Sequence, residues 1–124
     1  MPRVLIADDD GDIRDLVAFK LTQSGYEVIA VEDGMAALKA ARSEPVDVAL
    51  LDIRMPGMSG LDVCRELRAA PETASLPVIL ITARSQEGDV ETGFAAGADD
   101  YIIKPFSPRE LSSRVQAVLT RATR

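Results

Sequence analysis

A chain of 124 residues with 47% apolar and 27% charged side chains is long enough for one domain with a single core, and too apolar for disorder. With a formal net charge of −6 and no basic run, this domain alone is not expected to bind DNA or an anionic membrane strongly. One cysteine rules out an intrachain disulfide, and the absence of histidine removes His-based acid–base chemistry and most zinc sites. No signal peptide or long apolar span is visible, so a cytoplasmic location is expected, with Cys64 a small buried apolar residue.

Short apolar runs alternate with stretches of helical period along the chain. A strand is expected over Arg3–Ala7. A helix follows with a stripe of Ile13, Leu16, Val17, Lys20 and Leu21, stopped by Gly25. Glu27–Val31 is a second strand, and Asp33 can cap a helix over Met35–Arg42, with Pro45 just after it. Asp47–Leu51 is a third strand, after which Ser59 can cap a helix carrying Leu61, Cys64 and Leu67. Val78–Thr82 is a fourth strand. The helix after it, near Glu87–Ala96, is weak because Gly88 and Gly93 each cost about 1 kcal/mol relative to alanine. Tyr101–Ile103 is the fifth strand. The last helix opens on Ser107, Pro108 and Glu110, which match a capping box, and its apolar face is Leu111, Val115, Val118 and Leu119. Strict alternation of five strands and five helices implies an open parallel sheet with right-handed crossovers. The apolar runs are continuous because such strands are covered on both faces.

Ligands of these sheets bind beyond the carboxyl ends of the strands. There the sequence places Asp8, Asp9 and Asp10 after the first strand and Asp52 after the third. Thr82 stands at the end of the fourth, and Lys104–Pro105 follows the fifth. A single acid after a strand is usually only a helix N-cap. Four strands that end in polar groups at one edge ask for another reason. Clustered carboxylates repel unless their pKa values rise or a cation compensates. Hard oxygen ligands without His or Cys favour Mg²⁺. A cation, a lysine and a hydroxyl around one carboxylate suit a transferring phosphoryl group, with Asp52 as the nucleophile.

With these residues in place, the chain resembles the receiver domain of two-component response regulators from end to end. The resemblance rests on "VLIADDD", "VALLDIRMPGMSG", "PVILITA" and "GADDYIIKPF", and on the spacings from Asp52 to Thr82 and Lys104. It implies one receiver domain over residues 1–124. The implied fold is flavodoxin-like, a (βα)5 three-layer α/β sandwich with strand order 2-1-3-4-5. It also implies Mg²⁺, with Mn²⁺ as a substitute, held by Asp8, Asp9, Asp52 and the Arg54 carbonyl. Thr82, Lys104 and the Ala83 backbone N–H would hold the phosphoryl oxygens, Tyr101 would be the switching aromatic, and the Lys104–Pro105 bond would be cis. The implied donor is a sensor histidine kinase or phosphotransfer protein. Chemistry is confined to Asp52 itself, so no turnover of an external substrate is expected. Activation would remodel the face made by the fourth helix, fifth strand and fifth helix.

"ADDYIIKPF" followed by "SPREL" is most similar to the class with winged-helix DNA-binding effectors, which dimerises through that same face. Asp99, Asp100, Glu110, Arg114 and Arg121 fit its charge pattern, whereas Thr92 stands where a basic residue is usual. Gly11, where proline or glutamate is frequent, is expected to loosen the start of the first helix. Arg54 and Arg84, two residues beyond Asp52 and Thr82, are either solvated arginines or groups that slow loss of the phosphoryl group. Three other readings compete. A phosphatase of the haloacid-dehalogenase type needs an acid where Arg54 stands. A pseudo-receiver binding module would not need the complete set of five site residues. A nucleotide-binding domain lacks both a P-loop and G-x-G-x-x-G.

Overall fold

The structure, a computed structural model, describes residues 1–83 and 88–122. Its elements alternate as β1 (Arg3–Ala7), α1 (Gly11–Gln23), β2 (Glu27–Val31), α2 (Gly34–Ser43) and β3 (Val48–Asp52). They continue as α3 (Gly60–Ala69), β4 (Val78–Ala83), α4 (Gly88–Ala95), β5 (Asp100–Lys104) and α5 (Pro108–Ala122). The strands form one parallel sheet in the order β2-β1-β3-β4-β5. This is the expected flavodoxin-like α/β fold. The role expected of Arg84 and the helix start expected at Glu87 lie outside the described residues.

Capping fixes most helix starts. The Asp10 carboxylate accepts from the Asp12 and Ile13 N–H groups and begins α1. Gly11, expected to loosen that turn, is simply its first residue. Asp33 accepts from Ala36 N–H at 2.8 Å. Ser59 and Asp62 exchange both bonds of a capping box at α3. At α5, Ser107 Oγ accepts from Glu110 N–H at 3.0 Å, with Pro108 in the first turn where no amide hydrogen is needed. Gly25, at φ +95°, ends the α1 turn in a conformation that favours glycine.

Side chains alternate across the sheet, which splits the core in two. Val4, Ile6, Val48, Leu50, Ile79, Ile81 and Ile102 face α1 and α5, where Val17, Leu21, Leu111, Val115 and Val118 cover them. Leu5, Ala7, Ala49, Leu51, Val78 and Leu80 face the other way. There α2 contributes alanines, α3 contributes Val63, Cys64 and Leu67, and Ala96 closes the end of α4. Cys64 is fully buried and its Sγ lies 3.5 Å from the Ala96 carbonyl. Burial pushes its thiol pKa up.

Three strands differ from their expected bounds. β3 begins and ends one residue later and takes in Asp52, which pairs in register with Ile81 of β4. β4 extends to Ala83, and β5 gains Asp100 and Lys104 at its ends. Leu16 does not belong to the buried stripe of α1. It is 53% exposed, because only Val17 and Leu21 of that helix are buried.

Candidate functional site

Register brings the expected residues to one edge of the sheet. Ala7 pairs with Leu51, Asp52 with Ile81, Thr82 with Ile103, and Ala83 with Lys104. Asp8 follows β1 by one residue, so β1, β3, β4 and β5 each deliver a polar residue to the same edge, within two register positions of one another. Alternation then sorts the side chains. Asp8, Asp52 and Lys104 share parity with the residues that face α1 and α5. Thr82 and Tyr101 share parity with those that face the α2–α4 side.

The charged group is tight. Lys104 Nζ lies 3.1 Å from Asp52 Oδ2 and 3.2 Å from Asp8 Oδ2. Asp52 is 4% exposed and Asp8 is fully buried, while Asp9 is exposed. Burial pushes the Asp52 carboxyl up to about 6, and the neighbouring Asp8 adds to that rise, while Lys104 opposes it. For Lys104, burial favours the neutral amine, but the carboxylates of Asp52 and Asp8 outweigh it and its pKa is raised. Asp52 Oδ1 accepts from the Arg54 N–H at 3.1 Å, so the loop after β3 folds back onto the carboxylate. Gly60 opens α3 against this strand end. Its N–H donates to the Ile53 carbonyl at 3.1 Å, and a Cβ there would strike the Asp52 carbonyl.

A hard cation fits this donor set. Asp8, Asp9 and Asp52 each offer a carboxylate oxygen within 4.8 Å of the others. Asp8 Oδ2 is buried with no hydrogen-bond donor among the described residues, its proximity to Lys104 being ionic only. An oxygen in that state favours a positive charge beside it.

Thr82 is buried, and its hydroxyl makes a long contact of 3.4 Å to the Ala83 carbonyl. The ring of Tyr101, half-buried, meets Phe94 of α4 edge-on at 5.7 Å and lies under the Arg114 guanidinium at 5.8 Å. The Lys104–Pro105 bond is cis. Of the residues expected on a dimer face, Asp100, Glu110 and Arg114 form one intrachain cluster. Asp99 is drawn away from them: its Oδ2 accepts from Arg68 of α3 at 3.0 Å and from Val78 N–H at 2.8 Å. Arg121 lies across a small cleft from Asp99, beside Val118.

Asp10, expected with Asp8 and Asp9 at this edge, serves as a helix cap and not as part of the cluster. One residue of this neighbourhood was not singled out from sequence. Arg14 reaches back from α1, and its Nη1 donates to the Asp8 carbonyl at 2.8 Å. A cation in the first turn of a helix opposes the helix dipole, and that was the available signal.

The model of the response regulator receiver domain matches residues 4–116. The chain belongs to that family. It is 48% identical over 121 residues to the sensory transduction protein RegX3 of Mycobacterium tuberculosis, covering 98% of this chain and 52% of the relative. It is 43% identical over 119 residues to the DNA-binding response regulator MtrA of Mycobacterium leprae, covering 96% of this chain and 52% of that protein. The chain thus spans about half the length of these curated relatives. Among solved structures, the receiver domain of the sensor histidine kinase PA1611 from Pseudomonas aeruginosa superposes with a TM-score of 0.89 at 32% identity, covering 96% of this chain and 98% of that one. That structure has a magnesium ion coordinated in its active-site cleft. Among the described residues, no helix of this chain is long and apolar enough to cross a membrane.

Proposed function

We propose that Asp52 is the phosphoryl acceptor of this receiver domain, and that a phosphohistidine of a sensor kinase or phosphotransfer protein is the donor. The observation that carries this reading is the buried Asp52 carboxylate at the end of β3, ion-paired to Lys104 beside the acidic groups of Asp8 and Asp9. An Asp52 oxygen attacks phosphorus, the P–N bond breaks, and its electron pair leaves with the imidazole, which is reprotonated. Loss of the group is hydrolysis: water attacks phosphorus, phosphate departs and the Asp52 carboxylate returns.

Asp8, Asp9, Asp52 and the Arg54 carbonyl would hold Mg²⁺, or Mn²⁺ in its place, which supplies positive charge against the phosphoryl oxygens. Lys104 is held at the reacting carboxylate and stays protonated through neutral pH, so it offsets the same charge from the β5 side. Thr82 and the Ala83 N–H stand at the end of the next strand, where a hydroxyl and an amide donor can take phosphoryl oxygens. The added charge draws Thr82 toward the site and gives Tyr101 room to turn from Phe94 toward the interior, which alters the face of α4, β5 and α5. That face would serve a homodimer or an effector in the cytoplasm, with Asp99, Asp100, Glu110, Arg114 and Arg121 as its charged groups. Chemistry stays on Asp52, with no external substrate turned over.

Incubation with Mg²⁺ and acetyl phosphate tests the reading. The intact protein should gain the mass of one phosphoryl group, and Asp52→Ala should gain none. An unmodified wild-type chain under these conditions would favour a binding module that never takes phosphate.

A further inference from the structure

Asp8 is tethered through every polar group it owns. Its N–H donates to the Val31 carbonyl of β2 at 3.2 Å. Its Oδ1 accepts from the Asp10 N–H at 3.0 Å, and its Oδ2 is ion-paired with Lys104. Its carbonyl accepts from Arg14 Nη1 at 2.8 Å. The last tether is the one supplied by a side chain of α1. It also spans the acidic turn: Arg14 N–H donates to the Asp10 carbonyl, while its guanidinium folds back to Asp8.

The bonded carbonyl belongs to the peptide plane between Asp8 and Asp9. Holding that carbonyl fixes ψ of Asp8, the torsion that sets the direction in which the chain leaves β1 and with it where the Asp9 Cα–Cβ bond starts. Asp9 is exposed. Its oxygen lies within 4.8 Å of ligand oxygens from Asp8 and Asp52. The dipole of α1 disfavours a cation in this first turn unless it finds an acceptor, and Arg14 finds the Asp8 carbonyl.

We propose that Arg14 is a positioning residue for the metal site: by holding the Asp8–Asp9 peptide plane it aims the Asp9 carboxylate at the cation. The proposal rests on the phosphoryl-acceptor reading, because it assumes that Asp8, Asp9 and Asp52 hold a divalent cation. Its sign separates it from simple electrostatics. A guanidinium near a cation site repels the cation, so if charge alone mattered its removal would tighten Mg²⁺ binding. If positioning matters, its removal weakens binding.

Titration calorimetry with Mg²⁺ alone, without any phosphoryl donor, reads the difference. Arg14→Ala should raise the Mg²⁺ dissociation constant by roughly 3–10-fold, up to the lower bound of what loss of an outer-shell partner does to metal sites, because Arg14 acts through the backbone. Arg14→Lys, which keeps one donor and the charge, should fall between Ala and wild type. It carries the test if the alanine variant does not fold. The melting temperature in EDTA should stay near that of wild type while the rise produced by Mg²⁺ shrinks, which a loss of general stability would not produce. Arg65→Ala, on the exposed side of α3, should leave the constant unchanged. Arg14→Ala binding Mg²⁺ as tightly as wild type, or tighter, overturns the proposal. A wild-type chain that binds no Mg²⁺ overturns the cation reading along with it.

Discussion

The two faces of the sheet are built from different side chains and hold different halves of the site. Toward α1 and α5 the strands present bulky residues throughout: Val4, Ile6, Val48, Leu50, Ile79, Ile81 and Ile102. Toward α2, α3 and α4 the core mixes leucines with Ala7, Ala37, Ala40, Ala41, Ala49, Cys64 and Ala96. Small side chains let the helices approach closely, as at Gly34, where a Cβ would strike the backbone of Met58. The bulky face ends in the charges of Asp8, Asp52 and Lys104. The close-fitting face ends in Thr82 and Tyr101, beneath α4. There Ile53, Leu80, Phe94 and Tyr101 line an apolar seam too narrow for a water molecule. Charge that must stay fixed is thus backed by branched side chains with few rotamers, while the groups that could turn sit under a short helix containing glycine.

Removing the cation of the bulky face should have the largest effect on stability. Lys104→Met leaves the Asp8 and Asp52 carboxylates buried without their partner. In metal-free buffer at pH 7.5 a loss of about 2–3 kcal/mol is expected, below the range for fully buried pairs because Lys104 is partly exposed. The loss should shrink at pH 5, where Asp52 is largely protonated and the pair is already weakened in the wild type. Urea unfolding at the two pH values measures both. Equal losses at the two pH values would mean that the charge of Asp52 is not what Lys104 offsets.

Asp52→Asn probes the same face with the opposite sign. A carboxyl raised from 3.8 to about 6 on folding binds its proton more tightly in the native state. Its ionised form therefore destabilises the fold fully above pH 6, and the penalty fades as pH falls from 6 toward 3.8. In EDTA, Asp52→Asn should be more stable than wild type by about 1–2 kcal/mol at pH 7.5, with the gain largely gone by pH 4. Mg²⁺ should reverse the order, because it stabilises a chain that keeps the carboxylate. A gain that does not vary with pH would place the cause elsewhere than in the buried charge.

How much of this was legible in the sequence follows from the kind of bond involved. The strands were visible because burial on both faces leaves unbroken apolar runs such as Val48–Leu51 and Val78–Ile81. The site was visible because four strand ends carry polar groups at one edge of the sheet, a pattern that local capping does not require. Asp52 was expected just beyond β3 rather than in it, since a polar residue seldom continues a buried ladder, yet it pairs with Ile81. Leu16 was misassigned because α1 buries a narrower stripe than its apolar spacing offers. Bonds outside the local repeats left little trace: the Arg68–Asp99 pair joins residues from α3 and the turn before β5, and Arg14, marked only by its charge in the first turn of α1, acts on a backbone carbonyl. Neither bond has a period, so pattern reading could not reach them.

The smallest effect is expected on the close-fitting face, where two terms nearly cancel. Gly93 lies within α4, and a Cβ there would sit 2.5 Å from Leu80 Cδ1. Gly93→Ala gains up to about 1 kcal/mol of helix propensity and loses about 1–3 kcal/mol by overpacking if nothing yields. Leu80 Cδ1 is the far end of a flexible side chain, so part of the clash relaxes at the expense of the seam that Leu80 shares with Phe94 and Tyr101. The net change should stay below about 1 kcal/mol, on the destabilising side. The near-ultraviolet circular dichroism of Tyr101 should change more than the melting temperature does, since the ring contacts Phe94 one residue along the helix. A variant that is more stable than wild type and has an unchanged tyrosine signal would show that this face has slack to absorb a methyl group. The contrast between the two faces would then lie in charge alone, not in how closely their helices fit.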